Sequence, residues 1–159
     1  PGRTNWEKKL LKALPQFKGK ICFVRGLPEN STPPVNTKNA AVFNHLSARE
    51  LNLAIAQSGW VICRSGYTSI MDLVNLQHKA ILVPTPGQPE QEYLAARLFP
   101  KKIFYATSED AFMLQHDIAQ AQQFPFDFSG FTGSLSNYKN SIQQLTEAVT
   151  SQKSLLQKI

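Results

Sequence analysis

Residues 60–96 read WVICRSGYTSIMDLVNLQHKAILVPTPGQPEQEYLAA, and this stretch decides the fold. Trp60–Cys63 and Ala80–Val83 are short apolar runs of the kind that form buried strands. Each run leads through turn-forming residues into a helical pattern, over about Thr68–Leu76 and Pro89–Leu98. Strands that alternate with helices in this way predict a parallel sheet covered by helices.

The flanking sequence continues the same alternation. Further strands are predicted at Lys20–Val24, Ala40–Phe43 and Ile103–Tyr105. Further helices are predicted over Thr4–Leu14, Ser47–Ser58, Ser108–Gln123 and Asn137–Leu156, the first two beginning with a capping box. The aromatic segment Phe124–Ser136 is predicted to be a loop that anchors onto the body. We therefore predict an α/β fold, a doubly wound parallel sheet flanked by helices, in one domain over residues 1–159.

Composition limits the classes of partner. The chain has 159 residues and a net charge of +6, which favours anionic partners such as nucleotides. Its lysines are scattered and no RNA-binding motif is present, so we expect no nucleic acid. No apolar run reaches the ~18–20 residues that span a bilayer. Cys22 and Cys63 lie in apolar runs and are predicted to be buried reduced thiols, which suits a cytoplasmic protein.

The turn after the strand at residues 60–63 carries the candidate site. Ser65 and Gly66 precede a helix, where free N–H groups, the serine hydroxyl and close backbone approach suit a phosphate. Thr68 and Ser69 add hydroxyls in the first turn. Asp72 follows one turn later and could accept hydrogen bonds from two ribose hydroxyls. An ordinary capped turn with a helix-stabilising acid is the alternative reading.

Arg64 and the second turn add further candidates. Arg64 could balance diphosphate charge bidentately, or form a salt bridge to a neighbour. Gln91 and Glu92 follow P-T-P-G at a helix start, where they could read sugar hydroxyls or only stabilise the helix. The three histidines are far apart and lack metal-ligand spacing, and the hydrolase and P-loop motifs are absent. We therefore expect no metal and no resident cofactor.

The pattern R-S-G-Y-T-S-I-M-D, then a strand, P-T-P-G and P-E-Q-E-Y-L-A-A, resembles the C-terminal, donor-binding half of GT-B glycosyltransferases. The resemblance is closest to family 28, the group that contains the MurG N-acetylglucosaminyltransferase, and its detailed part covers Leu51–Ala96. It implies that Ser65, Gly66, Thr68 and Ser69 meet the donor diphosphate. It also implies that Asp72 holds the ribose hydroxyls, although the family commonly has Glu there.

The resemblance assigns roles to three more places. Gln91 and Glu92 fall where the family has a Gln pair for the donor sugar, so the second Gln is replaced here. The loop Asn44–Ala48 falls where the base is recognised. Arg3 and Thr4 resemble the end of a Gly-rich loop that faces the phosphates, after a first strand that would precede Pro1.

The function implied is binding of a nucleoside diphosphate sugar, with UDP-sugar expected, by the donor domain of a hexosyl-type glycosyltransferase. The partner would be an N-terminal acceptor domain of the same protein that supplies the general base, so this chain alone is expected to be inactive. The full enzyme is expected in the cytoplasm, with peripheral association at the inner membrane surface left open. Two alternatives remain open: a nucleotide-sugar epimerase or hydrolase of the same fold, and a non-catalytic partner-binding module.

Overall fold

The computed structural model describes residues 2–27 and 38–130, with side chains from residue 5 onward. The chain divides into two compact units, Pro1–Phe126 and Asp127–Ile159, and the elements below belong to the first. The predicted helix at Asn137–Leu156 and most of the loop before Lys38 lie outside the described residues.

The described elements alternate between strand and helix. The helices are α1 Gly2–Ala13, α2 Ala48–Gln57, α3 Tyr67–Asn75, α4 Pro89–Leu98 and α5 Leu114–Gln123, and a 3₁₀ turn, Leu14–Gln16, follows α1. The strands are β1 Ile21–Val24, β2 Ala40–Phe43, β3 Val61–Cys63, β4 Ala80–Leu82 and β5 Tyr105–Ala106. All strand pairs are parallel, so the predicted α/β fold is confirmed. The strands form two sheets, β1-β2 and β3-β4-β5, rather than one.

Local sequence signals account for several element boundaries. Ser47 begins α2 with a complete capping box: its hydroxyl accepts from the Glu50 N–H at 3.3 Å, and the Glu50 carboxylate accepts from the Ser47 N–H at 2.8 Å. Pro89 occupies the first position of α4, where its missing N–H costs nothing. β4 is apolar and buried throughout, as a strand covered on both faces must be.

The core lies against β4. Ile81 and Val83 pack with Leu10 of α1 and with Phe112. α3 buries Ile70, Leu73 and Val74. The predicted aromatic anchors are present in the described part of the Phe-rich segment, where Phe124 and Phe126 contact Phe99 and Trp60 with ring centroids 5.3 and 5.7 Å apart. These contacts fix the body that carries the turns after β3 and β4.

Three elements begin two or more residues away from their predicted starts. α1 begins at Gly2, so the backbone of Arg3 and Thr4 lies in its first turn and Thr4 is no N-cap. α5 begins at Leu114, because the Ser108 hydroxyl and carbonyl are occupied by a separate turn over residues 108–112. β5 begins at Tyr105, two residues after the predicted Ile103, and follows a left-handed residue at position 102.

Of the two thiols predicted to be buried, Cys63 is half-buried and Cys22 is exposed. Burial raises the pKa of the Cys63 thiol to about 12. Cys22 is exposed, because Ile21 and Phe23 are the β1 residues that pack on the core and Cys22 alternates with them. Partial burial still raises the pKa of the Cys22 thiol. In residues 2–27 and 38–130, no helix has the length and apolar character needed to cross a bilayer.

Candidate functional site

The N-terminus of α3 is an open group of hydrogen-bond donors. Gly66 is its N-cap, and no side chain of residues 5–27 or 38–130 caps the helix. The first helical hydrogen bond runs from the Ile70 N–H to the Gly66 carbonyl, so the N–H groups of Tyr67, Thr68 and Ser69 have no helical acceptor. A Cβ placed on Gly66 would meet no atom within 4 Å. Space therefore exists for an anion to approach these N–H groups.

The glycine at this position is not required by the backbone. Gly66 has φ −72° and ψ 144°, an extended conformation that any residue adopts. Neither conformation nor packing within the described chain explains a glycine here. A glycine here leaves room for another group to approach the backbone closely.

A polar stripe extends from this terminus along α3. Thr68, Ser69 and Asp72 are all exposed. Their spacing of three and four residues puts them on one face of the helix, with Asp72 about 6 Å along the axis from Thr68. The Asp72 carboxylate makes no hydrogen bond or ion pair with any residue in the described ranges, so it is available to a ligand.

The Ser65 hydroxyl was predicted to be available to a phosphate, but the structure buries it. Its side chain is fully buried, and its hydroxyl donates to the Gln91 carbonyl at 2.8 Å. That bond ties the turn after β3 to the first turn of α4. In this structure the Ser65 hydroxyl therefore connects the two helix starts.

Gln91 and Glu92 shape the loop that precedes α4. The Gln91 side-chain oxygen accepts from the Thr85 N–H at 2.9 Å, and its amide nitrogen donates to the Gln88 side chain at 2.6 Å. Glu92 accepts from the Gly87 N–H at 2.9 Å. Gly87 has φ +77°, in the left-handed region that favours glycine. The P-T-P-G loop is thus held in one conformation by the two residues predicted to read the sugar.

Arg64 is engaged by its neighbours. Its guanidinium donates to the carbonyls of Val83 and Pro84 at 3.2 and 3.1 Å and pairs with Glu109 at 2.6 Å. It also lies over the Trp6 ring, 3.9 Å from the centroid. Arg64 was predicted either to balance diphosphate charge or to form a salt bridge to a neighbour, and in the structure it forms the salt bridge. Trp6 and Glu109 were missed by sequence reasoning, because nothing local to either residue indicates a partner so distant in the chain.

The carboxyl ends of β1 and β2 are joined by a second group of side chains. Arg25 donates to the Asn44 side chain at 2.9 Å and pairs with Glu7 of α1. Asn44 opens the loop predicted to meet the base. Ser47, in the same loop, uses its hydroxyl in the capping box of α2.

The predictions for Arg3 and Thr4, and for metal binding, concern places away from the starts of α3 and α4. The backbone of Arg3 and Thr4 lies in α1, and their side chains are outside the description. Across residues 2–27 and 38–130, no group of three or more His, Cys, Asp or Glu side chains is arranged to hold a metal ion.

Comparison with known families gives a match to the glycosyltransferase family 28 C-terminal domain over residues 30–129. No curated protein and no solved structure matches the chain significantly. The family match contains both helix starts described above and the connections between them. Because it spans more than half of the 159 residues, the chain belongs to glycosyltransferase family 28 as its C-terminal domain.

Proposed function

We propose that this chain is the part of a glycosyltransferase that binds the nucleoside diphosphate sugar donor, with UDP-sugar as the donor. Family membership supports the donor class at a coarse level. The observation that carries the proposal is the start of α3: within the described part of the chain it has no side-chain cap, open space at Gly66 and no partner for the Asp72 carboxylate.

In this proposal the diphosphate lies against the first turn of α3. The N–H groups of Tyr67, Thr68 and Ser69 donate to phosphate oxygens, and the two hydroxyls add further donors. When the sugar leaves, negative charge grows on the diphosphate, and fixed donors at a helix N-terminus stabilise that charge. These groups would stabilise the leaving diphosphate without a resident metal.

The ribose and the sugar extend to either side. Asp72 accepts hydrogen bonds from the ribose hydroxyls, about one helical turn from the phosphate. The sugar meets the loop shaped by Gln91 and Glu92, whose geometry is coupled to α3 through Ser65. Arg64 acts in this scheme as a positioning residue, because its guanidinium already holds the ends of β3 and β4 together.

Catalysis requires a partner. We propose that an N-terminal acceptor domain of the same protein supplies the general base and the acceptor site, so this chain alone binds donor and transfers nothing. We also propose a cytoplasmic location for the protein, with peripheral membrane association of the full enzyme as a further proposal.

Titration of the chain with UDP, UMP and uridine, followed by NMR shift perturbation, tests the donor site. We expect UDP to bind with a Kd on the order of 1 mM, about −4 kcal/mol, and more tightly than UMP and uridine. The affected amides should be those of residues 66–69 and 72. No perturbation there at millimolar UDP would overturn the proposal.

Asp72→Asn tests the ribose assignment. The variant should lose the preference for UDP over 2′,3′-dideoxy-UDP, because an amide accepts one fewer hydroxyl hydrogen bond than a carboxylate. Asp110→Asn, at an exposed carboxylate in the turn after β5, is the matched control and should keep the preference. Product analysis with the full enzyme and a labelled UDP-sugar separates transfer from epimerisation or hydrolysis.

A further inference from the structure

Tyr67 is a large aromatic side chain that the fold does not use for packing. It is the first residue of α3 and is 60% exposed, the highest exposed fraction among the large apolar side chains in the described part of the chain. Its ring and hydroxyl make no hydrogen bond, ring contact or cation contact with any described residue. By contrast, Tyr93 accepts a hydrogen bond from Arg97 at 2.7 Å, and Tyr105 donates one to Asp117 at 3.0 Å. Interactions within the described fold therefore do not account for an aromatic residue at position 67.

Helix geometry places the Tyr67 ring beside the open start of α3. Tyr67 lies three and seven residues before Ile70 and Val74, which are both buried, so it shares their side of the helix. It is nevertheless exposed, because β3 ends at Cys63 and the first turn of α3 begins beyond the end of the strand. Side chains of a helix lean toward its N-terminus. The ring therefore borders the space from which an anion would approach the first-turn N–H groups.

The ring also lies away from the side of α3 that the ribose would occupy. Successive residues of an α-helix are about 100° apart around its axis, so Asp72, five residues later, is about 140° from Tyr67. With the ribose at Asp72 and the diphosphate at the first turn, the remaining part of the donor is the sugar. The start of α4 is close to the same place, because Ser65, two residues before Tyr67, donates to the Gln91 carbonyl.

We propose that the Tyr67 ring stacks on the sugar of the donor and selects for a pyranose with an exposed face of C–H groups. These C–H groups carry a small positive charge, which the negative face of an aromatic ring attracts. The hydroxyl at the end of the ring can also exchange a hydrogen bond with a sugar hydroxyl. This inference rests on the donor site proposed above and adds to it the side chain that distinguishes a nucleoside diphosphate sugar from the nucleoside diphosphate alone.

Tyr67→Ala and Tyr67→Phe test the contact in titrations of the chain with UDP, UDP-glucose, UDP-galactose and UDP-N-acetylglucosamine. Tyr67→Ala keeps the N–H group of residue 67, so its Kd for UDP should stay within about twofold of the wild-type value. Its Kd for at least one of the three UDP-sugars should rise about fivefold, because the stacking contact is lost. Tyr67→Phe keeps the ring and should retain most of the affinity for that UDP-sugar.

Tyr93→Ala is the matched control. Tyr93 is 58% exposed and belongs to α4, where it lies about 160° around the helix axis from Gln91. Its removal should leave the affinities for UDP and for the three UDP-sugars unchanged. A loss of UDP-sugar affinity in Tyr93→Ala equal to that in Tyr67→Ala would argue against a specific role for Tyr67.

Nuclear Overhauser effects in the wild-type chain give a direct measurement that does not depend on any variant folding. We expect them between the Tyr67 ring protons and the C–H protons of the bound sugar. Effects from the ring to ribose or uracil protons alone would overturn the sugar contact. So would a Tyr67→Ala protein that loses affinity for UDP and the UDP-sugars equally, or for none of them. If UDP does not bind the wild-type chain at all, the donor site itself is refuted, and this inference with it.

Discussion

Replacing Gly66 by alanine shows whether this glycine matters for the stability of the fold or for the binding of a ligand. The φ of −72° and ψ of 144° at Gly66 suit alanine. The added Cβ would meet no atom within 4 Å. Because no atom of residues 2–27 and 38–130 would clash with the methyl, a group bound at the N-terminus of α3 is the one whose binding the substitution tests.

The effect on stability should be small because two terms oppose each other. Alanine reduces the conformational entropy of the unfolded chain, which stabilises by about 0.4–1 kcal/mol. Alanine is a poorer N-cap than glycine, which costs about 0.5–1 kcal/mol. The free energy of unfolding should therefore change by less than about 1 kcal/mol, and Tm by less than about 4 °C.

The effect on binding should be larger. A methyl group in the path of the diphosphate keeps its oxygens from the first-turn N–H groups, and losing even one charge-assisted hydrogen bond costs about 1.5–3 kcal/mol. We expect the Kd for UDP to rise at least about tenfold, while uridine, which has no phosphate, binds unchanged.

The assay is a paired titration with UDP and uridine, alongside thermal unfolding. Gly59→Ala is the matched control, because a Cβ there also meets nothing within 4 Å and the residue lies before β3, at the opposite end from Gly66. A Gly66→Ala protein that keeps its Tm and binds UDP as the wild type does would refute the assignment of α3 to the diphosphate.

Three further predictions follow from side chains around the site. Ser65→Ala removes the buried hydrogen bond to the start of α4 and should lower the free energy of unfolding by about 1–2 kcal/mol. In the full enzyme the same substitution should weaken UDP-sugar binding more than UDP binding. Equal losses in the two affinities would contradict the coupling of the two turns. Arg64→Met leaves the Glu109 carboxylate, 12% exposed, without its partner and should cost about 2–4 kcal/mol in urea unfolding; a loss below about 1 kcal/mol would show that the ion pair is not structural. At pH 8 a maleimide should label Cys22 in the folded chain and reach Cys63 only on unfolding, and rapid labelling of both thiols would contradict this expectation. Burial raises the pKa of the Cys63 thiol from 9.0 to about 12. The contribution of the protonated Cys63 thiol to stability should therefore be complete below pH 9 and lost as pH rises toward 12.

Sequence patterns identified the parts of this protein that local chemistry controls. The bounds of β2 and α4 match their predictions, because a short apolar run and a Pro at the first helical position are complete signals in themselves. The Ser47 capping box was predictable for the same reason. A helix start was less predictable where a turn competes with the helix for the same capping residue. Ser108 is the example, because its hydroxyl accepts a hydrogen bond within a separate turn and α5 begins later in the chain.

The resemblance to family 28 also came from sequence, since it rests on linked residues within one continuous stretch. The family match over residues 30–129 confirms it. The same stretch indicated which residues could meet a donor. It did not indicate which of their polar groups are already occupied by hydrogen bonds or ion pairs within the protein.

Tertiary structure alone decided that occupancy. The partner of Ser65 is 26 residues away, and that of Arg64 is 45 residues away. No local pattern records such pairs, because they form only when separate strands and helices pack together. The division into two sheets has the same origin: pairing between strands is a long-range contact, and a strand sequence does not state which neighbour it will have.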